Sequence, residues 1–187
     1  MTIKTHQQGS LDGLCGVYSV HNALRQLLGA RTDEAFDQRL FRAVLRAVPR
    51  SAYPEVLWRG MDLDQLLRVS GRACDYLLEK HRIEIAAERP FARRRFRFVR
   101  DYLDALDEIA STEFVSFILG LEWLRDGGGH WSVYRGREGG KLRLYDSDRM
   151  HSLNVQSLTL SDTRANKLCP QETVMFRLLS VDGEALA

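Results

Sequence analysis

Gln7–Gly29, QQGSLDGLCGVYSVHNALRQLLG, joins a turn-forming segment to an amphipathic one, and a cysteine stands at the join. Gly9, Ser10, Asp12 and Gly13 are turn formers. From Val17 the apolar positions Val17, Val20, Leu24, Leu27 and Leu28 form a one-face helical stripe, and Gly29 is a stop. Cys15 therefore falls in the first turn of a helix. The positive end of the helix dipole favours an anion there, and the thiolate is the reactive form of a cysteine. Gly16 leaves open space beside the sulfur. The competing reading is a buried cysteine used as a small apolar residue, so the segment needs partners elsewhere in the chain.

Composition bounds the answer. A chain of 187 residues fits one domain, or two small lobes sharing one core. Apolar content of 44% with 28% charged residues is ordinary for a soluble globular protein, and a net charge of +2 argues against a nucleic-acid binder. No apolar run is long enough to span a membrane, and MTIKTHQQGS does not read as a signal peptide. Cys15, Cys74 and Cys169 are an odd set without framework spacing, which suits free thiols in a reducing, cytoplasmic setting. A zinc site from Cys15, Cys74, His81 and Cys169 matches no known spacing, and neither a metal nor another cofactor is expected.

Helices dominate the first part of the chain. Asp33–Val48 is helical behind a Thr32-Asp33 cap, Pro49 stops it, and Arg50–Gly60 reads as a loop. Asp62–Ser70 is a short helix closed by Gly71, while Ala73–Ala86 fits either a helix or two strands. Arg89–Arg100, RPFARRRFRFVR, is by default a solvated face and, as an alternative, a docking surface for an acidic protein. Val99–Ile109 is a helix. From Glu113 strands take over at Phe114–Leu119, His130–Arg135, Lys141–Asp146 and Thr173–Leu179, and Leu153–Leu168 fits no pattern. This order predicts an α+β fold with a helical lobe over about residues 1–110 and an antiparallel β lobe over about 111–187.

A nucleophilic cysteine needs a base. His21 lies six residues beyond Cys15, about 9 Å along the same helix and far round it, so it is a poor partner. His130 has context in Gly127–Asp148, GGGHWSVYRGREGGKLRLYDSD. If Gly136–Gly140 is the turn and Arg135 pairs with Lys141, His130 falls opposite Asp146, with Cβ atoms about 5 Å apart. The carboxylate then accepts from Nδ1, Nε2 faces a thiol, and Trp131 shields the pair. A slip of one residue breaks this pairing, and the bland alternative is an incidental cross-strand pair. An acyl-transfer oxyanion also needs donors; the Cys15 backbone N–H and the side-chain amide of Gln8 or Gln7 are candidates.

Gln8, a loop, Cys15-Gly16 at a helix start, a late His130-Trp131 strand and Asp146-Ser147 after the next strand together resemble the papain-like cysteine peptidase superfamily. The nearest flavours are the bacteriocin-processing peptidases and the Josephin deubiquitinases. The resemblance covers about Gln7–Gly29 and Gly127–Asp148, and the middle of the chain is unmatched. It implies a helical lobe against a β lobe with the cleft between them. It further implies Cys15 as nucleophile, His130 as base and then acid, Asp146 as orienter and Gln8 as oxyanion donor. Gln8 stands farther from the cysteine than in those families, and Gln7 is the substitute.

The expected activity is hydrolysis of a peptide or isopeptide bond in a protein or peptide substrate, with ubiquitin-like conjugates as one class. The alternatives are acyl transfer by the same three residues, as in transglutaminase-like enzymes, and a non-catalytic interaction module on the same fold.

Overall fold

The computed structural model describes residues 13–123, 128–162 and 166–185. The helical stripe read from Val17 becomes α1 (Cys15–Leu28), closed by Gly29 at φ +58°. Next comes α2 (Glu34–Ala47), whose N-cap Asp33 accepts a 2.6 Å hydrogen bond from the Phe36 N–H. The Arg50–Gly60 segment is not all loop, because α3 (Glu55–Arg59) forms within it. α4 (Leu63–His81) opens on a capping box between Asp62 and Gln65. It continues straight through Gly71, because Leu66, Val69, Ser70, Ala73, Cys74 and Leu77 make one unbroken buried stripe. A mid-helix glycine is tolerated where packing on both sides of it is strong.

The ambiguous segment after Ala73 divides between the end of α4 and β1 (Ile83–Glu88). Then follow α5 (Val99–Thr112), β2 (Val115–Trp123), β3 (Gly128–Glu138), β4 (Lys141–Tyr145) and β5 (Ser152–Asn154). β6 (Leu158–Thr159), β7 (Asn166–Val181) and β8 (Glu184–Ala185) complete the described chain. The sheet runs β1-β7-β2-β3-β4-β5, with β6 and β8 also on β7. Neighbours are antiparallel except β6 and β7. The sheet thus draws on β1, from the otherwise helical part of the chain, and inserts β7 between β1 and β2.

The fold class is α+β, as the order of patterns predicts, with helices packed on a largely antiparallel sheet. Alternation along β2 shows how the layers stack. Ile118 packs with α1, α2 and α4, whereas Phe117, Leu119 and Leu121 pack with Leu103 and Leu106 of α5. The sheet therefore has α1, α2 and α4 over one face and α5 over the other, each covering a separate apolar cluster.

The hairpin register differs from the expected one. β3 and β4 meet at Glu138↔Lys141 through a two-residue turn, Gly139 at φ +56° and Gly140 at φ +72°. Positive φ at both positions is what a tight antiparallel turn requires, and glycine supplies it without steric cost. A bulge between Tyr134 and Gly136 shifts the pairing by one, to Val133↔Tyr145. Continued one step, that register sets Ser132, not His130, across from Asp146.

Asp33 is remote from the hairpin and isolates the contribution of a cap. Replacing it with Ala is expected to lower the unfolding free energy by about 1 kcal/mol. The check is a urea titration in which the midpoint falls and the slope does not change.

Candidate active site

His130 and Asp146 meet despite the register change. The slip is two residues in all, so both side chains stay on the same face, and His130 is the diagonal neighbour of Asp146. The imidazole Nε2 lies 2.6 Å from Asp146 Oδ2. This reverses the expected use of the ring: Nε2 faces the carboxylate, which leaves Nδ1 for the sulfur. Cys15 is the second hydrogen-bonding partner of His130.

Asp146 is fully buried. Its other oxygen, Oδ1, accepts the backbone N–H groups of Asp148 at 2.8 Å and Met150 at 3.2 Å. One carboxylate therefore fixes the imidazole and the turn after β4 together. Burial works against its charge. The hydrogen bond and positive charge of His130, with smaller help from Ser132 and the Asp148 N–H, outweigh that and hold the carboxyl below its ordinary range. Burial likewise opposes the imidazolium, but Asp146 and then Cys15 raise His130 to about 10.

Cys15 is placed by backbone and packing. The Gly13 N–H donates to the Leu57 carbonyl at 2.6 Å. A Cβ on Gly13 would stand 3.0 Å from the Gly60 nitrogen, so the two glycines let the chain leading into α1 lie against the segment after α3. Beside the sulfur, Gly16 does not leave open space: a Cβ there would come within 2.5 Å of Met61 Cε and 3.3 Å of Trp131 Cδ1. The missing side chain instead lets α1 seat against those residues.

Trp131 is a structural joint. Its indole N–H donates to the Met61 carbonyl at 2.8 Å, and its own carbonyl accepts from the Ser19 hydroxyl of α1 at 2.8 Å. β3 and α1 are tied one residue from His130 and four from Cys15. The ring that lies beside the imidazole is Trp123, with centroids 6.3 Å apart and planes at 28°.

A cleft of about 490 Å³ opens over these groups. Cys15 and His130 lie on its lining, together with Met61, Asp62, Trp123, Gly128 and Gly129. Gly120, Glu122 and Glu172 also line it. The sequence reading passed over this last group. Its one visible signal was a glycine inside an apolar strand run, which ended the expected strand at Leu119.

The remaining candidates are elsewhere. Gln7, Gln8 and Gly127 lie outside the described residues. His21 is buried in α1 against Phe41, 3.2 Å from the Asp37 carbonyl. Cys74 sits in the core stripe of α4, His81 packs on Phe36 and Tyr76, and Cys169 donates to Glu122 at 3.3 Å. All three cysteines are free thiols. No helix of the described residues is long and apolar enough to cross a membrane.

No protein-family model matches the chain, and no curated protein matches it. Among solved structures, the crystal structure of the Pseudomonas avirulence protein AvrPphB is similar over 96% of this chain and 97% of that one. The sequence identity is 12% and the TM-score 0.37.

The elevated His130 has a consequence for folding. The imidazole moves from an ordinary 6.5 to about 10, so the protonated form stabilises the native state. That contribution is complete below pH 6.5 and is lost as pH rises through about 10. The stability gap between wild type and His130→Gln, from urea titrations, is expected to narrow across that window, at up to about 1.4 kcal/mol per pH unit.

Proposed function

We propose that the chain is a papain-like cysteine peptidase or isopeptidase in which Cys15 is the nucleophile, His130 the acid and base, and Asp146 the orienter. The observation that carries this reading is one imidazole held between a buried carboxylate, at 2.6 Å, and the Cys15 sulfur, on the wall of a cleft. An imidazole in that position takes the thiol proton and remains protonated beside the thiolate, because Asp146 stabilises its positive charge.

The thiolate attacks the carbonyl carbon of an amide or isopeptide bond, and a C–S bond forms. Collapse of the tetrahedral adduct breaks the C–N bond, and the departing nitrogen takes the proton from His130. A water then attacks the thioester as His130 removes its proton. The C–S bond breaks, the acid product leaves, and the proton on His130 restores the starting pair. The backbone N–H of Cys15 and the amide of Gln8, or of Gln7, are the proposed donors to the oxyanion.

The proposed substrate is a protein or peptide. Conjugates of ubiquitin-like modifiers are the finer form of that class, on the Josephin side of the resemblance. The Arg89–Arg100 segment supports docking of an acidic protein surface: Arg89, Arg93, Arg94, Arg95, Arg97 and Arg100 are exposed there, and Arg94 and Arg97 lie over Phe96 and Phe98.

Iodoacetamide at neutral pH is expected to alkylate Cys15, with the reaction abolished in Cys15→Ser and slowed at least about tenfold in His130→Ala. Screening against tagged peptides and ubiquitin-like conjugates is then expected to give cleavage that depends on Cys15. Added primary amines separate hydrolysis from acyl transfer by the product formed. Asp146→Asn retains an acceptor for the turn but loses the charge, so it is expected to reduce turnover about 10–100-fold while the protein stays folded. Equal alkylation rates in wild type and His130→Ala would refute the assignment.

A further inference from the structure

The pairing of β2 with β7 is interrupted in one place. Ile118↔Val174 and Gly120↔Cys169 bracket a bulge in which Leu119 faces four residues of β7, Pro170 to Thr173. Such interruptions bend a strand and re-aim its side chains, and they gather beside functional sites. Here the bulge carries Glu172 onto the wall of the cleft that also holds Cys15 and His130.

Gly120, on the strand opposite, makes room for it. A Cβ at position 120 would stand 2.7 Å from Glu172 Oε2 and 3.1 Å from its Cβ. A glycine within a strand costs stability, and the space it leaves is filled by a carboxylate rather than by core packing. Bulge, glycine and cleft are thus three separate features that converge on one side chain.

The surroundings define what the carboxylate faces. Glu122 lies on the same wall, and its carboxylate, the Cys169 sulfur and the Glu172 carboxylate come within 4.8 Å of one another. Glu122 is already engaged, accepting from Lys167 at 2.9 Å and from Cys169 at 3.3 Å. Lys167 is also held by Asp162. Glu172 makes no hydrogen bond or ion pair with another described residue. Burial and the charge of Glu122 raise its carboxyl, while Lys167 and Arg89 pull the other way without prevailing. Asp62, also on the lining, is occupied as the cap of α4, and Arg59 is exposed and paired with Glu55. The wall therefore carries a carboxyl group that no described side chain pairs with, in a cleft that Trp123 also lines.

A metal ion fits this wall less well than an organic cation. Burial and the bond to Glu122 push the Cys169 thiol up to about 12, and the thiol is already engaged as a donor to Glu122 at 3.3 Å. Lys167 also competes for Glu122. A lysine or arginine side chain brings its own charge and an apolar stem suited to a partly apolar cleft.

We propose that Glu172, supported by Glu122, forms a subsite for a basic side chain of the substrate near the bond presented to Cys15. This rests on the peptidase reading above and assigns a substrate preference to the same cleft.

The test uses tripeptide chloromethyl ketones in which each of the three positions in turn carries Arg, Gln or Glu. At one position, the Arg probe is expected to alkylate wild-type Cys15 about tenfold faster than the Gln probe, with the Glu probe slowest. That Arg-to-Gln ratio is expected to fall to within about twofold in Glu172→Gln, to invert in Glu172→Lys, and to shrink in wild type as salt rises. Because each ratio is taken within one protein, a change in the overall reactivity of a variant does not mimic the effect. Alkylation by iodoacetamide without any preference among the nine probes would overturn the subsite and leave the nucleophile intact. A preference for Arg that persists unchanged in Glu172→Gln would also overturn it. Failure of iodoacetamide to discriminate wild type from His130→Ala instead removes the peptidase reading.

Discussion

The buried carboxylate of Asp146 is the interaction on which the candidate site depends. It spends one oxygen on the His130 imidazole and the other on two backbone N–H groups of the turn after β4. A fully buried carboxylate is costly unless its acceptor positions are filled, and here they are filled by an imidazole and by the backbone. The same bonds that keep the anion tolerable in the interior also fix the plane of the ring. The ring's remaining nitrogen is then available to a sulfur brought from more than a hundred residues earlier in the chain. Trp131 anchors that meeting by joining β3 to Met61 and to α1 through hydrogen bonds at both ends of the residue.

Much of this was legible without coordinates, for identifiable reasons. The stripe from Val17, the Asp33 cap and the His130–Asp146 association follow from periodicity and local chemistry, which the chain writes in short windows. What failed was register. The expected turn spanned Gly136–Gly140, whereas the chain uses Gly139 and Gly140 alone and takes up the offset in a bulge near Arg135. The His130–Asp146 contact survived only because a net slip of two residues leaves side chains on their original face. The ring nitrogen facing the carboxylate was also assigned the wrong way round, since a diagonal approach presents a different edge of the imidazole from a direct one.

Other features were invisible for a different reason: they depend on contacts between distant segments. Nothing local to Gly16 reports that Met61 and Trp131 fill the space beside it. Nothing local to Glu172 reports that a bulge turns it into the cleft opposite Gly120. Gly71, by contrast, misled through its local signal, because tertiary packing carried α4 past a residue that ends isolated helices. The acidic wall of the cleft is thus the part of the candidate site where sequence periodicity has least to say.

The placement of β7 between β1 and β2 has a bearing on how the protein is made. These two flanking strands are not paired with each other, and among the described residues β1 has as its only strand partner a segment translated long after it. During synthesis the helices α1, α2 and α4 emerge well before the sheet beneath them can close, so their apolar faces stay uncovered on the ribosome. Val174, Phe176 and Leu178 arrive last and complete that layer. Until they do, the apolar layer beneath α1, α2 and α4 is incomplete.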